Sequence, residues 1–476
     1  MNRAPARRTF YIRARPAPQP HPTGARVDLS GRDGLAVKLA RGSSAATIIY
    51  VAAGGLTYAA QFAVARTIGA DGYGIYAYVL AWVTVLAYVC ALGFDVSLLR
   101  FVPAYLATRD FASLRGVIRY AARRVAIAGC GIAIIGGGVG LFGLRGSQPT
   151  LADTFVIGLA VVPVLALLWI HTAIARGLGG VCSALLPDRL VRDGLVVVIV
   201  AGVGALWSIG APSAMAATLL GAAAGLGLVR FALRRLRPAA MNAVAPAYHA
   251  SAWRRTVLPL VIIGSAEALM NRTGVMLLGW LTTTKQAGIY ALAFNIAFAA
   301  MLPRTAVNTL LAPAISHLFV CRDDSALRAI VARAASWTLI GAGCIALPVL
   351  LFAEPILGIF GREFVVGAPA LRILMVGQLI AATAGSQLHL MNMTGHERGA
   401  AALLCGSAAT NAVLATVLVG PFGPTGAALA ATTALILWNA GMALSIWRHL
   451  QLLPGLLAVW PDKAQRAAPH GSEAAE

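Results

Sequence analysis

Long apolar stretches separated by short polar connections make up most of the chain from residue 44 onward. An α-helix needs about 20 apolar residues to cross the hydrocarbon core of a bilayer. Twelve stretches reach that length, so the pattern predicts an all-α polytopic membrane protein. The predicted transmembrane spans lie near 44–68, 74–99, 121–144, 152–175, 187–207, 213–233, 256–281, 286–313, 332–353, 367–391, 399–420 and 424–447.

Basic residues are distributed unequally between the connections on the two sides of these spans. With the N-terminus in the cytoplasm and the span ends counted with the adjoining loops, 31 of the 38 Lys and Arg residues fall on the cytoplasmic side and four fall on the external side. Cytoplasmic loops of membrane proteins carry such an excess of basic residues. We therefore expect both termini to be cytoplasmic. The other three basic residues, Arg272, Arg304 and Arg372, fall within predicted spans.

Short sequence matches at nearly one offset indicate a duplicated unit. The segment Gly74-Ile75-Tyr76-Ala77 recurs as Gly288-Ile289-Tyr290-Ala291, 214 residues later, and Ala214–Thr218 recurs as Ala428–Thr432 at the same offset. Because each copy has an even number of spans, both copies enter the membrane with the same polarity, as in parallel transporter repeats. The prediction is about 12 transmembrane helices in two parallel-repeat six-helix bundles.

Polar and basic segments divide the chain around the two copies. The expected parts are a disordered basic, Pro-rich cytoplasmic tail at 1–42, an N-terminal six-helix bundle at 43–233, a basic cytoplasmic linker at 234–255, a C-terminal six-helix bundle at 256–447 and a cytoplasmic tail at 448–476. The N-terminal tail is too weakly apolar to form a core or a signal peptide.

The composition excludes a soluble globular protein and narrows the partners. Hydrophobic residues form 59% of the chain, charged residues 12%, and the mean hydropathy is +0.78. The net charge of +21 lies in loops and tails, so nucleic acid is not an expected partner. The glycine-rich run at 129–140 lacks the preceding strand and following Lys-Ser/Thr of a nucleotide-binding loop, and no cofactor is expected.

Charged residues inside the seventh predicted span are the strongest indication of a functional site in the sequence. Arg272 lies a little beyond the middle of that span, beside Asn271 and five residues after Glu267. A charge at such depth costs at least about 2.5 kcal/mol on insertion scales. Five residues rotate a helix by about 500°, so Glu267 and Arg272 point about 140° apart and are not expected to neutralise each other directly.

Arg272 therefore needs a partner from another helix or from a ligand. One interpretation is an anionic ligand, with Arg272, Arg304, Asn271 and Glu267 as substrate-binding residues. The other is a structural salt bridge to Asp95 or Glu267 of an adjacent helix. Both interpretations stay open at this stage.

Catalytic machinery is not apparent in the predicted spans. They contain no Ser-His-Asp set, no paired carboxylates and no cluster with metal-ligand spacing. External loops are short, which leaves little room for an extracytoplasmic active site. The sequence therefore favours a transporter over an enzyme.

Several motifs resemble those of a known family. They are Gly69-Ala70-Asp71-Gly72-Tyr73-Gly74-Ile75-Tyr76, Leu92-Gly93-Phe94-Asp95, Ala175-Arg176-Gly177-Leu178, Asn392-Met393-Thr394-Gly395-His396 and Gly423-Pro424-Thr425-Gly426. Together they resemble the polysaccharide-transporter flippases, the O-antigen or exopolysaccharide translocases of the multidrug/oligosaccharidyl-lipid/polysaccharide superfamily. The resemblance covers roughly residues 44 to 447 and specifies the superfamily better than the substrate.

The resemblance implies both a shape and a cargo. Members of that superfamily, including the multidrug MATE transporters, form a V-shaped pair of six-helix bundles that work by alternating access. The cargo implied is an undecaprenyl-diphosphate-linked oligosaccharide, moved to the outer leaflet of the cell inner membrane. The expected partners are this lipid-linked oligosaccharide, membrane lipids, and polysaccharide polymerase or export proteins.

Two other functions remain as alternatives. A multidrug or cation exporter of the same superfamily would need membrane carboxylates, for which Glu267 and Asp95 are the candidates. A membrane glycosyltransferase or polymerase would need a long catalytic loop, and none of the predicted connections has that length.

Overall fold

The protein is described by a computed structural model that covers residues 30–143, 146, 148–305, 307, 324–385, 387–393 and 397–450. Throughout these ranges the regular structure is helical. The first helix begins at Ser30, within the segment predicted as a disordered tail, and residues 1–29 of that tail lie outside the described ranges. Of the predicted C-terminal tail, residues 451–476 lie outside them as well.

In the part of the first half that the structure describes, the chain forms eight α-helices. They are α1 (Ser30–Ala91), α2 (Phe94–Ala107), α3 (Phe111–Gly143), α4 (Pro149–Gly177), α5 (Val181–Leu185), α6 (Arg192–Gly204), α7 (Ala211–Leu236) and α8 (Ala240–Ala243). A short π-helical segment, Leu186–Val191, joins α5 to α6. The predicted span at 187–207 is therefore not one regular helix.

Within the described residues, the second half contains seven more α-helices. They are α9 (Ala250–Leu281), α10 (Thr284–Phe298), α11 (Asp324–Leu351), α12 (Ala353–Phe360), α13 (Ala368–Ala384), α14 (Gln387–Met393) and α15 (Glu397–Leu450). After α10 a 3-10 turn, Ala299–Met301, precedes Pro303. Proline has no N–H to donate to the carbonyl four residues earlier, which accounts for the change of helix type there. Residues 308–313 of the predicted span 286–313 lie outside the described ranges.

Two of the helices are too long for a single crossing. Helix α1 has 62 residues and α15 has 54, more than twice the roughly 20 needed for one span. Each contains one glycine outside helical geometry, Gly69 (φ 68°) and Gly423 (φ 54°), at the predicted boundaries between spans. Positive φ is easily adopted only by glycine, so these residues turn the chain between two spans.

The length and composition of the helices identify a membrane protein, and they set limits on the number of spans. Within the described residues, nine helical segments are long and apolar enough to cross a bilayer. Two of them, at 54–107 and 398–449, exceed 50 residues and accommodate two of the predicted spans each. The protein is therefore an all-helical, multi-pass membrane protein, and the count of twelve spans remains a prediction.

In each half of the chain, one helix packs against several others. In the first half, α4 packs against α2, α3 and α7. In the second half, α15 packs against α9, α10, α13 and α14. Helix α9 also contacts helices of the first half, since the position of Gly93 abuts the backbone of Val257 and Val261.

Equivalent positions of the two predicted copies meet in the structure. A Cβ placed on Gly288 would lie 2.6 Å from the Cα of Gly74, the residue 214 positions earlier. At the same offset, Lys285 Nζ lies 3.3 Å from Asp71 Oδ2. The two glycines let the backbones approach closely, as small residues do between membrane helices. This contact at matching positions supports the duplication inferred from the sequence.

We expect Gly74→Val to open this contact. A Cβ at Gly74 would lie 2.1 Å from the carbonyl oxygen of Thr284, and this backbone atom cannot rotate away. Overpacking of this kind costs about 1–3 kcal/mol. In a chain carrying Asp71→Cys and Lys285→Cys, the yield of a short bifunctional thiol crosslink should fall several-fold.

The matched control is Gly55→Val on the same helix, because a Cβ there meets no atom within 4 Å. Gly55→Val should leave the crosslink unchanged. An unchanged yield in Gly74→Val would show that the close glycine contact does not hold the two copies together.

Candidate functional site

The second half of the chain encloses a cavity of about 430 Å³. Its wall is formed by α9, α10, α13, α14 and α15 together with the turn that follows α10. Five helices from two stretches of the chain, 250–298 and 368–450, thus face one space. A ligand pocket between the helices of a bundle commonly has this arrangement.

Polar side chains from each side of the cavity converge on it. The charged and amide-bearing ones are Glu267, Asn271, Arg304, Gln378, Gln387 and Asn439. Three of the four residues proposed from the sequence, Glu267, Asn271 and Arg304, are therefore brought together. Glu267 and Asn271 share a face of α9 because residues four apart lie one above the other on a helix.

The two charges of the cavity balance each other without forming a close ion pair. Arg304 and Glu267 interact electrostatically. Within the described part of the chain, neither has an opposite charge within 4 Å. Arg304 Nη2 instead lies 3.6 Å from the Sδ of Met301. Both side chains consequently keep hydrogen-bonding capacity for a ligand.

Aromatic side chains supply the apolar part of the wall. Phe294 and Phe298 line one side with their rings stacked, 5.9 Å between centroids, and Trp438 lines another. The cavity thus combines flat apolar faces with a small number of directed polar groups.

One amide of the wall has an unused acceptor. Gln387 is 5% exposed, and in the described part of the structure its Oε1 has no hydrogen-bond partner. Leaving a buried polar group unsatisfied costs about 1–3 kcal/mol. A native structure seldom leaves such a group unpaired. A ligand that donates a hydrogen bond to Gln387 Oε1 would satisfy it.

Arg272, the first residue proposed from the sequence, is not part of the cavity wall. It lies on another face of α9, partly buried, where its guanidinium interacts electrostatically with the phenol groups of Tyr73, Tyr76 and Tyr88. These tyrosines belong to the second half of α1. Arg272 therefore faces the first half of the chain. It lies nine residues, or about 14 Å, before the end of α9, near mid-depth of a bilayer.

The alternative partner for Arg272, a carboxylate, is not found in the described residues. None of the ion pairs in that part of the chain includes Arg272, Glu267 or Asp95. Asp95 interacts electrostatically with Arg176 instead. Arg372, by contrast, is paired: its Nη2 lies 3.2 Å from Glu354 Oε1.

A buried ionic cluster in the first half was missed from the sequence. Arg192 donates to Asp193 Oδ1 at 2.8 Å and to Asp188 Oδ1 at 3.3 Å, and its side chain is 17% exposed. The hydroxyl of Thr57 donates to the other oxygen of Asp193 at 2.5 Å. The charge count groups Arg192, near the start of the predicted span 187–207, with the basic residues of the cytoplasmic side, whereas the structure places it in α6 among largely buried carboxylates. The i, i+4 spacing of Asp188 and Arg192 was the available signal.

Solved structures with the same fold are transporters and flippases. An inward-facing multidrug resistance MATE family transporter of the MOP superfamily has a TM-score of 0.69 and 15% identity, over 84% of this chain and 98% of that one. The lipid II flippase MurJ, in an inward closed conformation, has a TM-score of 0.62 and 15% identity, over 84% and 87%. The MATE multidrug transporter DinF-BH has a TM-score of 0.62 and 18% identity, over 87% and 95%. The chain thus shares its fold with these MATE transporters and with MurJ.

The sequence itself identifies the family. The profile of the family described as "Polysaccharide biosynthesis protein" matches residues 39–319, more than half of the chain. The chain belongs to this polysaccharide biosynthesis family. Among proteins with curated descriptions, none matches it in sequence.

Proposed function

We propose that the protein is a flippase that moves a lipid-diphosphate-linked oligosaccharide from the inner to the outer leaflet of the cell inner membrane. The observation that carries the proposal is Arg272, a cation near mid-depth with no carboxylate within 4 Å in the described part of the chain. A buried charge of this kind is expensive unless a partner compensates it. A diphosphate, whose oxygens match the planar guanidinium fork, is such a partner.

The direction of transport agrees with the charge of the cargo. A potential that is negative inside favours outward movement of an anion by about 2.3 kcal/mol per charge per 100 mV. Coupling to a counter-ion is therefore not demanded by the electrostatics. Sugar polymerase and export proteins, which use the flipped cargo, are the proposed partners.

The contact between the two copies supports alternating access. The pair of Lys285 with Asp71, which joins the two copies, involves exposed side chains, and solvent screens such pairs strongly. The rings of Tyr73 and Phe364 also meet between the copies beside this pair, 5.8 Å between centroids. In the proposed cycle these contacts separate and re-form.

A cation exporter is the second candidate, and one feature favours it. Glu267 lines a cavity that also has the rings of Phe294, Phe298 and Trp438. A carboxylate among aromatic faces suits an organic cation. Arg304, which offsets that carboxylate, weighs against this alternative.

Transport by the purified full-length protein in vesicles separates the two functions. We expect a polyprenyl-diphosphate-linked oligosaccharide to become accessible on the opposite leaflet at a rate well above that of empty vesicles. Polyprenyl monophosphate and a cationic rhodamine dye should not move above that background. Transport of the dye without movement of the lipid would contradict the flippase function and support the cation exporter.

The proposed orientation places both termini in the cytoplasm. Single cysteines replacing Gly146 or Arg362, both exposed, should react with an impermeant thiol reagent applied outside intact cells, in a chain whose six native cysteines are replaced. A cysteine replacing the exposed Ala239 should react only after the cells are opened. Labelling of Ala239→Cys from outside intact cells would show that the orientation is the reverse of the one proposed.

A further inference from the structure

We propose that the cavity of the second half binds the sugar that follows the diphosphate of the cargo, and that the diphosphate is bound separately at Arg272. This inference rests on the proposed flippase function and adds a division of the cargo between two faces of α9. Glu267 and Asn271 face the cavity, whereas Arg272 faces the tyrosines of α1.

The volume of the cavity restricts what it can hold. Pockets for small molecules range over about 300–1,000 Å³, and this cavity of about 430 Å³ lies at the lower end. One or two sugar rings match that size. A long oligosaccharide or a polyprenyl chain does not, so the rest of the cargo remains outside the cavity.

The charge of the cavity selects a neutral ligand. Glu267 and Arg304 contribute one negative and one positive charge and interact with each other. A diphosphate brought here would leave its negative charge largely uncompensated and would meet a carboxylate, and an organic cation would meet a guanidinium. A neutral ligand with many hydrogen-bonding groups avoids both costs.

The polar groups of the wall match hydroxyl groups. A hydroxyl both donates and accepts, and an amide side chain offers one oxygen that accepts and one NH₂ that donates. Gln387 Oε1 is a buried acceptor with no partner in the described part of the structure, so a sugar hydroxyl that donates to it removes an existing cost. Trp438 offers a flat apolar surface to the less polar face of a sugar ring.

The spacing of α9 fits the covalent structure of the cargo. Asn271 and Arg272 are consecutive, so their Cα atoms lie about 3.8 Å apart and their side chains diverge by about 100°. A diphosphate held by Arg272 is therefore followed, one bond further along the cargo, by a sugar within reach of Asn271. If the two sites lay far apart in space, a diphosphate and the sugar bonded to it could not occupy both at once.

The test compares binding of two probes to the purified full-length protein. One probe is farnesyl diphosphate, and the other is farnesyl diphosphate carrying one sugar, tested with glucose, galactose and N-acetylglucosamine. The wild type should bind the best glycosylated probe at least tenfold more tightly than bare farnesyl diphosphate. Gln387→Leu should remove about tenfold of affinity for the glycosylated probe, equivalent to about 1.4 kcal/mol, and leave binding of the bare probe unchanged.

Two further variants give the matched controls. Gln286→Leu removes another buried amide oxygen without a partner among the described residues, but Gln286 does not line the cavity, so both affinities should be unchanged. Arg272→Ala should weaken binding of both probes. If Gln387→Leu weakens both probes equally or neither, the sugar site is refuted while the flippase stands. If the wild type binds neither probe, the flippase function fails, and the sugar site fails with it.

Discussion

Arg272→Ala is expected to abolish flipping of the lipid-diphosphate-linked oligosaccharide in reconstituted vesicles while the protein accumulates normally. The guanidinium lies near mid-depth, faces three tyrosines of α1 and forms none of the ion pairs in the described part of the chain. Removing it takes away the charge proposed to compensate the diphosphate. Arg272→Lys keeps the charge but loses the planar fork that binds two phosphate oxygens, so partial activity should remain.

The control for this prediction is Arg372→Ala. Arg372 also falls in a predicted span, but it is already paired with Glu354 and half exposed, so its loss should leave flipping near the wild-type rate. If Arg272→Ala instead lowers membrane abundance and the temperature of unfolding, and the folded remainder flips normally, Arg272 has a structural role and the diphosphate is bound elsewhere.

Arg192→Met is expected to destabilise the protein by about 3–5 kcal/mol, the usual cost of breaking a buried ion pair by removing one partner. Arg192 bridges Asp188 and Asp193, and both carboxylate side chains are 11% exposed. Without the guanidinium, two largely buried carboxylates would repel each other. The free energy of unfolding of the detergent-solubilised protein measures the loss.

Two variants test the cause. Replacing both carboxylates as well, in Asp188→Asn/Arg192→Met/Asp193→Asn, should restore most of the stability, because no uncompensated charge remains. Arg189→Met should cost less than about 1 kcal/mol, since Arg189 is 46% exposed although it also pairs with Asp188. Equal losses in Arg189→Met and Arg192→Met would mean that burial of the cluster is not the cause.

The sequence was most informative where one residue type has one physical role. The gaps between predicted spans near 69 and 423 coincide with Gly69 and Gly423, because glycine is the residue that adopts positive φ at little cost. The offset of 214 residues matches Gly74 with Gly288, and the structure brings these two glycines into contact. Both signals are visible in the sequence without knowledge of tertiary packing.

The sequence was least informative about the cavity. The helical period separated Glu267 from Arg272 by about 140°, and the structure indeed places them on different faces of α9. Gln378, Gln387 and Trp438 carried no signal, because an amide or an indole in an apolar run indicates a site only when other helices bring partners to it. The cluster around Arg192 was missed because Arg192 was counted with the basic residues of the cytoplasmic side, and its burial depends on packing with other helices.

The leaflet distribution of the cargo in cells tests the central claim most directly. In cells that make this protein, an impermeant reagent specific for sugars should label the lipid-linked oligosaccharide from outside. After depletion of the protein, the labelled fraction should fall sharply while the total amount of lipid-linked oligosaccharide rises. An unchanged labelled fraction after depletion, with cells newly sensitive to cationic dyes, would contradict the flippase function.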